Sequence, residues 1–185
     1  MYIWDSVGLR WWRPAPRNLG KQRYTIGDEP FIWMLELMKL ECYEPRRVVP
    51  QIRDRIMEAL DAALVKSSMR TFEEKLLEEL RKWDSGFKNE VALFQKGKKH
   101  WKHCFDIYNP RLKIAIEVEK TEVKRILHDL LKFSIGNRKH LVDLGVLIVP
   151  KKYRHLTRPF RYAIREYEWI KNLYWGRLLI IGYEK

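Results

Sequence analysis

The segment "FDIYNPRLKIAIEVEKTE", residues 105–122, brings three carboxylates close together: Asp106, Glu117 and Glu119. An Asp on one side of a short turn and a Glu-x-Glu pair on the other can offer hard oxygen ligands to one divalent cation. Mg2+ suits such a set, because it keeps several waters and takes phosphate oxygens beside one or two carboxylates. The competing account is a solvated sheet face bridged to Lys113, Lys120 and Lys124. The geometry of the turn decides between them.

With the turn as Asn109-Pro110-Arg111-Leu112, Pro110 takes the second position, where its fixed φ belongs. Tyr108 then pairs with Lys113, Ile107 with Ile114, Asp106 with Ala115 and Phe105 with Ile116. One face carries Phe105, Ile107, Leu112, Ile114, Ile116 and Val118; the other carries Asp106, Lys113, Ala115, Glu117 and Glu119. A loop of odd length would set Phe105 and Ile107 among the charges, so burial selects this register. Asp106 then lies diagonal to Glu117, at roughly 7–8 Å between backbones, within reach of converging carboxylate tips. Two unit charges about 5 Å apart at an effective dielectric of ~20 repel by ~3 kcal/mol, so three together need exposure, a proton or a cation.

The elements that must position this hairpin read as follows. A Pro/Gly-punctuated basic and aromatic arm, with "GLRWWRPAPRNLGKQR" at 8–23, opens the chain. "FIWMLELMKLE" at 31–41 reads as a short helix, and Ile52, Ile56, Leu60 and Leu64 mark a second over 51–65. A third starts at Thr71, where Thr71 and Glu74 make a capping box, buries Phe72, Leu76, Leu77 and Leu80, and stops at "DSG", 84–86. Strands follow at 87–94, 103–109 and 111–119. A helix over 122–136 presents Val123, Ile126, Leu127, Leu130 and Leu131 on one face. "LGVLIVP", 144–150, is apolar throughout and suits a central strand covered on both sides. Pro159 opens a helix reaching Lys171, and "RLLIIGY", 177–183, is the last strand. The α-β-β-β-α-β order, with additions at both ends, predicts an α/β fold: a mixed central sheet flanked by helices.

Composition narrows the partners. Lys and Arg number 37 against 24 Asp and Glu, a net charge of +13, in a chain that is 46% hydrophobic with eight Trp. This is a folded basic domain, and its charge favours a polyanion, nucleic acid before an anionic membrane. No apolar run approaches the ~18 residues of a membrane span, and no signal-peptide core stands at the N-terminus, which predicts a cytoplasmic protein without a membrane partner. Cys42 and Cys104 form no disulfide framework. Without GxGxxG or a P-loop, a nucleotide cofactor is unsupported.

Asp106 followed by Glu117-x-Glu119 on an apolar strand, then a helix and a buried strand, resembles the PD-(D/E)XK nuclease superfamily. Within it the pattern is most similar to type II restriction endonucleases of the BamHI and BglII kind, which carry Glu or Gln where most members have Lys, as Glu119 does here. The resemblance covers residues 70–150 and implies Mg2+-dependent hydrolysis of phosphodiester bonds in double-stranded DNA, with one or two ions. It implies that Asp106 and Glu117 hold metal, and that Glu119 orients or deprotonates the attacking water. Glu90 in "FKNEVALF" is implied as the upstream metal-site residue. Lys120 points to the opposite strand face and does not take the place of the family lysine. The chain divides accordingly as a single domain, 1–185: an arm and helices to 68, a catalytic core over 69–150, and a basic segment, helix and strand over 151–185. One carboxylate cluster cuts one strand at a time, so a homodimer is expected on duplex DNA, with the 31–41 and 51–65 helices as its surface. A repair or RNA nuclease of the same fold, and a non-catalytic nucleic-acid-binding module, are the alternatives.

Two basic segments flank this core. "QKGKKHWKH", 95–103, offers Lys96, Lys98, Lys99 and Lys102 to phosphates, with Trp101 for stacking. "KKYRHLTRPFRY", 151–162, offers Lys151, Lys152, Arg154 and Arg158, the two arginines suited to guanine edges. His100, His103 and Cys104 have no second His/Cys pair at a usual spacing, so sequence alone marks no transition-metal site there.

Overall fold

Strand pairing and helix burial follow from where the apolar residues run continuously and where they recur at helical spacing. The computed structural model describes residues 21–24, 31–35, 40–68, 70–95, 102–120, 123–152 and 158–184. Its strands are β1 (Lys21–Tyr24), β2 (Phe31–Leu35), β3 (Leu40–Glu44), β4 (Lys88–Gln95), β5 (Lys102–Asn109), β6 (Ile114–Val118), β7 (Leu144–Pro150) and β8 (Arg177–Tyr183). Its helices are α1 (Pro50–Lys66), α2 (Phe72–Trp83), α3 (Ile126–Arg138, after a 3-10 turn at Val123–Arg125) and α4 (Pro159–Ile170). One mixed sheet has the order β1-β2-β3-β8-β7-β6-β5-β4. β6, β7 and β8 run parallel at its centre, and the remaining neighbours are antiparallel. The fold is α/β, as the element order predicts.

The sheet separates two cores. On one face Ile56, Leu60, Leu76 and Leu80 of α1 and α2 meet Ile116, Val146 and Ile181. On the other, Phe133 of α3 and Phe160 and Tyr167 of α4 meet Ala115, Leu147 and Ile180. Every residue of β7 is buried, which is why its sequence lacks the alternation of a one-sided strand. Burying each Val, Leu or Ile there is worth about 1.5–3 kcal/mol, so this strand anchors both layers. Two glycines permit close helix approach: a Cβ on Gly145 would lie 2.6 Å from the Phe133 ring, and one on Gly182 2.7 Å from Phe160.

Several expectations are corrected. Within the segment expected as a helix at 31–41, Phe31–Leu35 forms β2 and Leu40 and Glu41 open β3, so the first 68 residues hold strands as well as α1. A short apolar run does not separate helix from buried strand by periodicity, and here pairing with β1, β3 and β8 decides it. The apolar residues Ile56, Met57 and Leu60 of α1 face the sheet. At α2 the capping box does not form. The Thr71 hydroxyl accepts the Ser68 N–H at 3.2 Å, so it is turned toward the preceding turn and leaves the helix N-terminus uncapped by a side chain. On α3 the buried set is Ile126, Leu130 and Phe133, whereas Leu131 is exposed.

The β5–β6 register is two residues off the expected one: Asn109 pairs with Ile114, Tyr108 with Ala115 and Ile107 with Ile116. Four residues, Pro110 to Lys113, make the loop. The cause is Asn109, a fully buried side chain whose Oδ1 accepts the Arg111 and Leu112 N–H groups, each at 3.0 Å. Its Nδ2 donates to Asp84 Oδ1 at 3.0 Å, and Lys113 turns the chain with φ +53°. A shift of two keeps every side chain of β6 on its expected face. Phe105 is the exception on β5: it packs with Phe133 and Tyr108, across the sheet from Ile107.

The basic arm at 8–20, with Trp11 and Trp12, and the residues Lys96, Lys98, Lys99, His100, Trp101 and Arg154 lie outside the described residues. Among the described residues no helix is long and apolar enough to cross a membrane.

Candidate active site

The site forms where β5 and β6 part. Their ladder ends at Ile107 and Ile116, and the next N–H of β6 that faces β5, that of Val118, is taken by the Asp106 side chain: Oδ2 accepts it at 2.8 Å. Asp106 thus stands in for a strand backbone and is fixed by the sheet itself. β6 meanwhile stays paired to β7, and the Glu119 N–H donates to the Ile148 carbonyl at 3.0 Å, so the Glu117-Val118-Glu119 run is held on that side. The parting opens a cavity of about 590 Å³ at the end of β6.

Side chains from both helical layers reach it. α2 contributes Glu73; β5 contributes Asp106; β6 and the residues after it contribute Glu117, Glu119 and Lys120. Arg125 comes from the 3-10 turn, and His128, Asp129 and Lys132 from α3. Five carboxylates therefore face three strong cations, in a chain whose excess charge is positive.

Glu117 is the centre of this imbalance. It is 3% exposed, and its Oε1 has no directed hydrogen-bond donor. Lys132 Nζ lies 2.5 Å from that oxygen, close enough to pair charge. The same ammonium is 3.0 Å from Asp129 Oδ1 and donates to the Cys104 carbonyl at 3.1 Å. Burial, with Asp106 and Asp129 adding to it against the opposing charge of Lys132, pushes the Glu117 carboxyl up to about 9. Burial also raises Asp106, with the Glu73 charge adding and the Val118 N–H opposing. Burial works to lower Lys132, but Glu117 and Asp129 outweigh it and hold the ammonium above its usual range. Burial thus favours the protonated form of Glu117, and the Lys132 ammonium opposes it. Tyr183 is pushed up to about 12, first by its own burial and then by Glu119 and Glu73.

Asp106, Glu117 and Glu119, expected to converge, do share this cavity. Glu90 does not line it: it is exposed on β4 with φ +49°, and the β4–β5 register skips it. Lys102 opens β5. Lys151 follows β7 with Nζ 3.2 Å from Glu41 Oε1, Lys152 is exposed, and Arg158 is exposed immediately before α4. Lys120, expected on the opposite strand face, lies at the cavity, 2.8 Å from Glu73 Oε1. The sequence reading missed Glu73, Asp129 and Lys132. A signal existed for the last two: a charged pair three residues apart on the helix that leaves the Glu-x-Glu strand.

The family described as "Putative halobacteria restriction endonuclease" matches residues 43–183. The chain belongs to that family. The matched span runs from within β3 to the end of β8 and contains every residue of the cavity, so family membership and the carboxylate cluster point together to a nuclease. No curated protein matches the chain.

Proposed function

We propose that the protein is a Mg2+-dependent endonuclease of double-stranded DNA, of the type II restriction kind and built on the PD-(D/E)XK plan. The observation that carries the reading is Glu117: a buried carboxyl beside Asp106 and Asp129, sharing one ammonium with Asp129, in the cavity of a +13 chain. The donor set fits a hard divalent ion. Its atoms are carboxylate oxygens, too few to cage the ion. Asp106 and Glu117 would hold the ion, with Glu73 the further carboxylate from α2. Bound there, Mg2+ supplies positive charge to the scissile phosphate and acidity to a water.

The chain's own residues do the rest. Val118 N–H keeps Asp106 in place, and Lys132 holds Glu117 and Asp129 together. Glu119 orients the attacking water and accepts its proton as the oxygen bonds to phosphorus and the leaving sugar oxygen departs. Lys120 and Arg125, on the cavity wall, meet phosphate oxygens. Lys152 and Arg158 extend that basic surface.

Cleavage of supercoiled plasmid in Mg2+, with Glu117→Ala as control, tests the reading. Expected is linear product from the wild type and none from the variant. Equal cleavage by both ends the assignment. A homodimer is proposed for cutting both strands, and light scattering with DNA bound checks it: a monomer producing nicked circles alone would favour a single-strand repair role.

A further inference from the structure

One buried carboxylate at the cavity has no step in the proposed hydrolysis. Asp129 of α3 is 5% exposed and lines the cavity beside Glu117. Its Oδ1 lies 3.0 Å from the Nζ of Lys132, three residues on along the same helix. That ammonium is also 2.5 Å from Glu117 Oε1, and it donates to the Cys104 carbonyl at 3.1 Å. An ammonium carries three N–H groups, and here oxygens from β5, β6 and α3 stand around it. The Lys132 side chain is only 10% exposed, so the cluster holds a cation of its own.

Glu117 therefore has one cation at contact range before any divalent ion reaches it. On a single oxygen two cations exclude one another, and on the two oxygens of one carboxylate they repel within a low-dielectric interior. The ammonium can give way, because lysine carries a point charge on a flexible four-carbon stem. The neighbours that remain set where it goes: Asp129 and the Cys104 carbonyl keep hold of it. The stem stays in place, since Phe133, the next residue of α3, is fully buried and fixes the helix against the sheet.

We propose, on the hard-ion reading of the cluster, that Lys132 is its resident counter-ion and competes with the divalent ion for Glu117. Asp129 is the carboxylate that retains the ammonium once Glu117 is released. Lys132 is thus a positioning residue that lowers the affinity for the ion, and Asp129 limits that loss. Glu117 has a partner in both states, so the ion-free cavity does not hold a bare buried charge. A lysine that only braced α3 against β6 would act the other way, and its removal would weaken the ion.

Mn2+, a hard ion that takes oxygen ligands, is the probe. It is titrated into the full chain at pH 8 and followed by the electron paramagnetic resonance of the free ion. Lys132→Met should bind it about tenfold tighter than wild type or more. That variant leaves two buried carboxylates without their cation, so the deciding protein is Lys132→Met with Asp129→Asn, which removes one charge of each sign and keeps the net charge. It should still bind at least about threefold tighter, and adding Glu117→Gln should abolish the gain. Saturable binding in wild type that is equal or weaker in the double variant would make Lys132 a brace and overturn the competition while the metal site stands. A gain that survives Glu117→Gln would overturn it as well. No saturable Mn2+ in any of these proteins would remove the metal site itself, and the competition with it. None of these readouts depends on cleavage.

Discussion

The two ends of the β5–β6 hairpin each bury a carboxylate, and treat it oppositely. At the tip, Asp84 is 6% exposed and accepts from Gly86 N–H, Asn109 Nδ2 and the Arg111 guanidinium. At the open end, Glu117 is 3% exposed, and its partner is the Lys132 ammonium, which it shares with Asp129. A buried charge costs several kcal/mol unless it is paired and hydrogen-bonded. The tip meets that cost within the chain and gains a fixed turn. The open end supplies one ammonium shared between Glu117 and Asp129, and burial raises the Glu117 carboxyl there. Equal burial thus leaves two acids that differ in the completeness of their partners.

The largest expected effect breaks the open end. Glu117→Ala and Asp106→Ala should lower Mg2+-dependent cleavage by about a thousandfold or more, since charge stabilisation at a reacting phosphate is the dominant contribution. DNA binding measured in Ca2+ should be kept or tightened. Wild-type cleavage by either variant would remove these residues from the chemistry. Glu119→Gln comes next: metal binding stays within reach of wild type while the single-turnover rate falls by about a hundredfold. If Glu119→Ala cleaves as fast as wild type, the water is handled elsewhere, and Lys120 is the residue to replace.

The tip predicts the reverse pattern. Asp84→Ala leaves the Arg111 guanidinium and the Asn109 amide without their acceptor, and should cost about 3 kcal/mol in urea unfolding. Cleavage per folded molecule should hardly change, because the tip lies at the far end of the hairpin from the cavity. A stability loss below about 1 kcal/mol would mean the tip acid is as dispensable as a surface pair.

Sequence patterning reached the open end better than the tip. Asp106, Glu117 and Glu119 were legible because apolar alternation fixes which face a strand residue takes, and that parity survives a register shift of two. The shift itself was not legible. It depends on Asn109 bonding to Asp84, a contact 25 residues away along the chain. Lys132 and Glu73 were missed for the same kind of reason: helix residues reach a strand-end cavity only through the packing of Phe133 and Phe72 that sets each helix's rotation. The 31–41 segment misled because its apolar run satisfies helix and strand equally until β1 and β3 are there to pair with Phe31–Leu35, and β8 with Leu40 and Glu41.

The smallest effect is the most direct measure of the contrast, because it follows the Glu117 proton. The carboxyl titrates from 4.5 in its ordinary state to about 9 in the folded protein. Between these values the native state binds a proton that the unfolded chain has lost, so unfolding free energy must fall as pH rises. The contribution is whole below about 4.5 and gone above about 9. The slope is at most about 1.4 kcal/mol per pH unit, reduced where other groups titrate. Glu117→Gln carries no titrating proton and should flatten this dependence, making the metal-free variant more stable than wild type at pH 8. Divalent cation should restore wild-type stability most strongly at high pH, where it no longer competes with the proton. Asp84→Asn supplies the opposite sign, losing stability at neutral pH because a charged acceptor with complete partners is replaced. Urea unfolding of the three proteins at pH 6 and pH 8, with and without Mg2+, measures both ends of the hairpin. A pH dependence identical in Glu117→Gln and wild type would mean that the buried proton is not on Glu117.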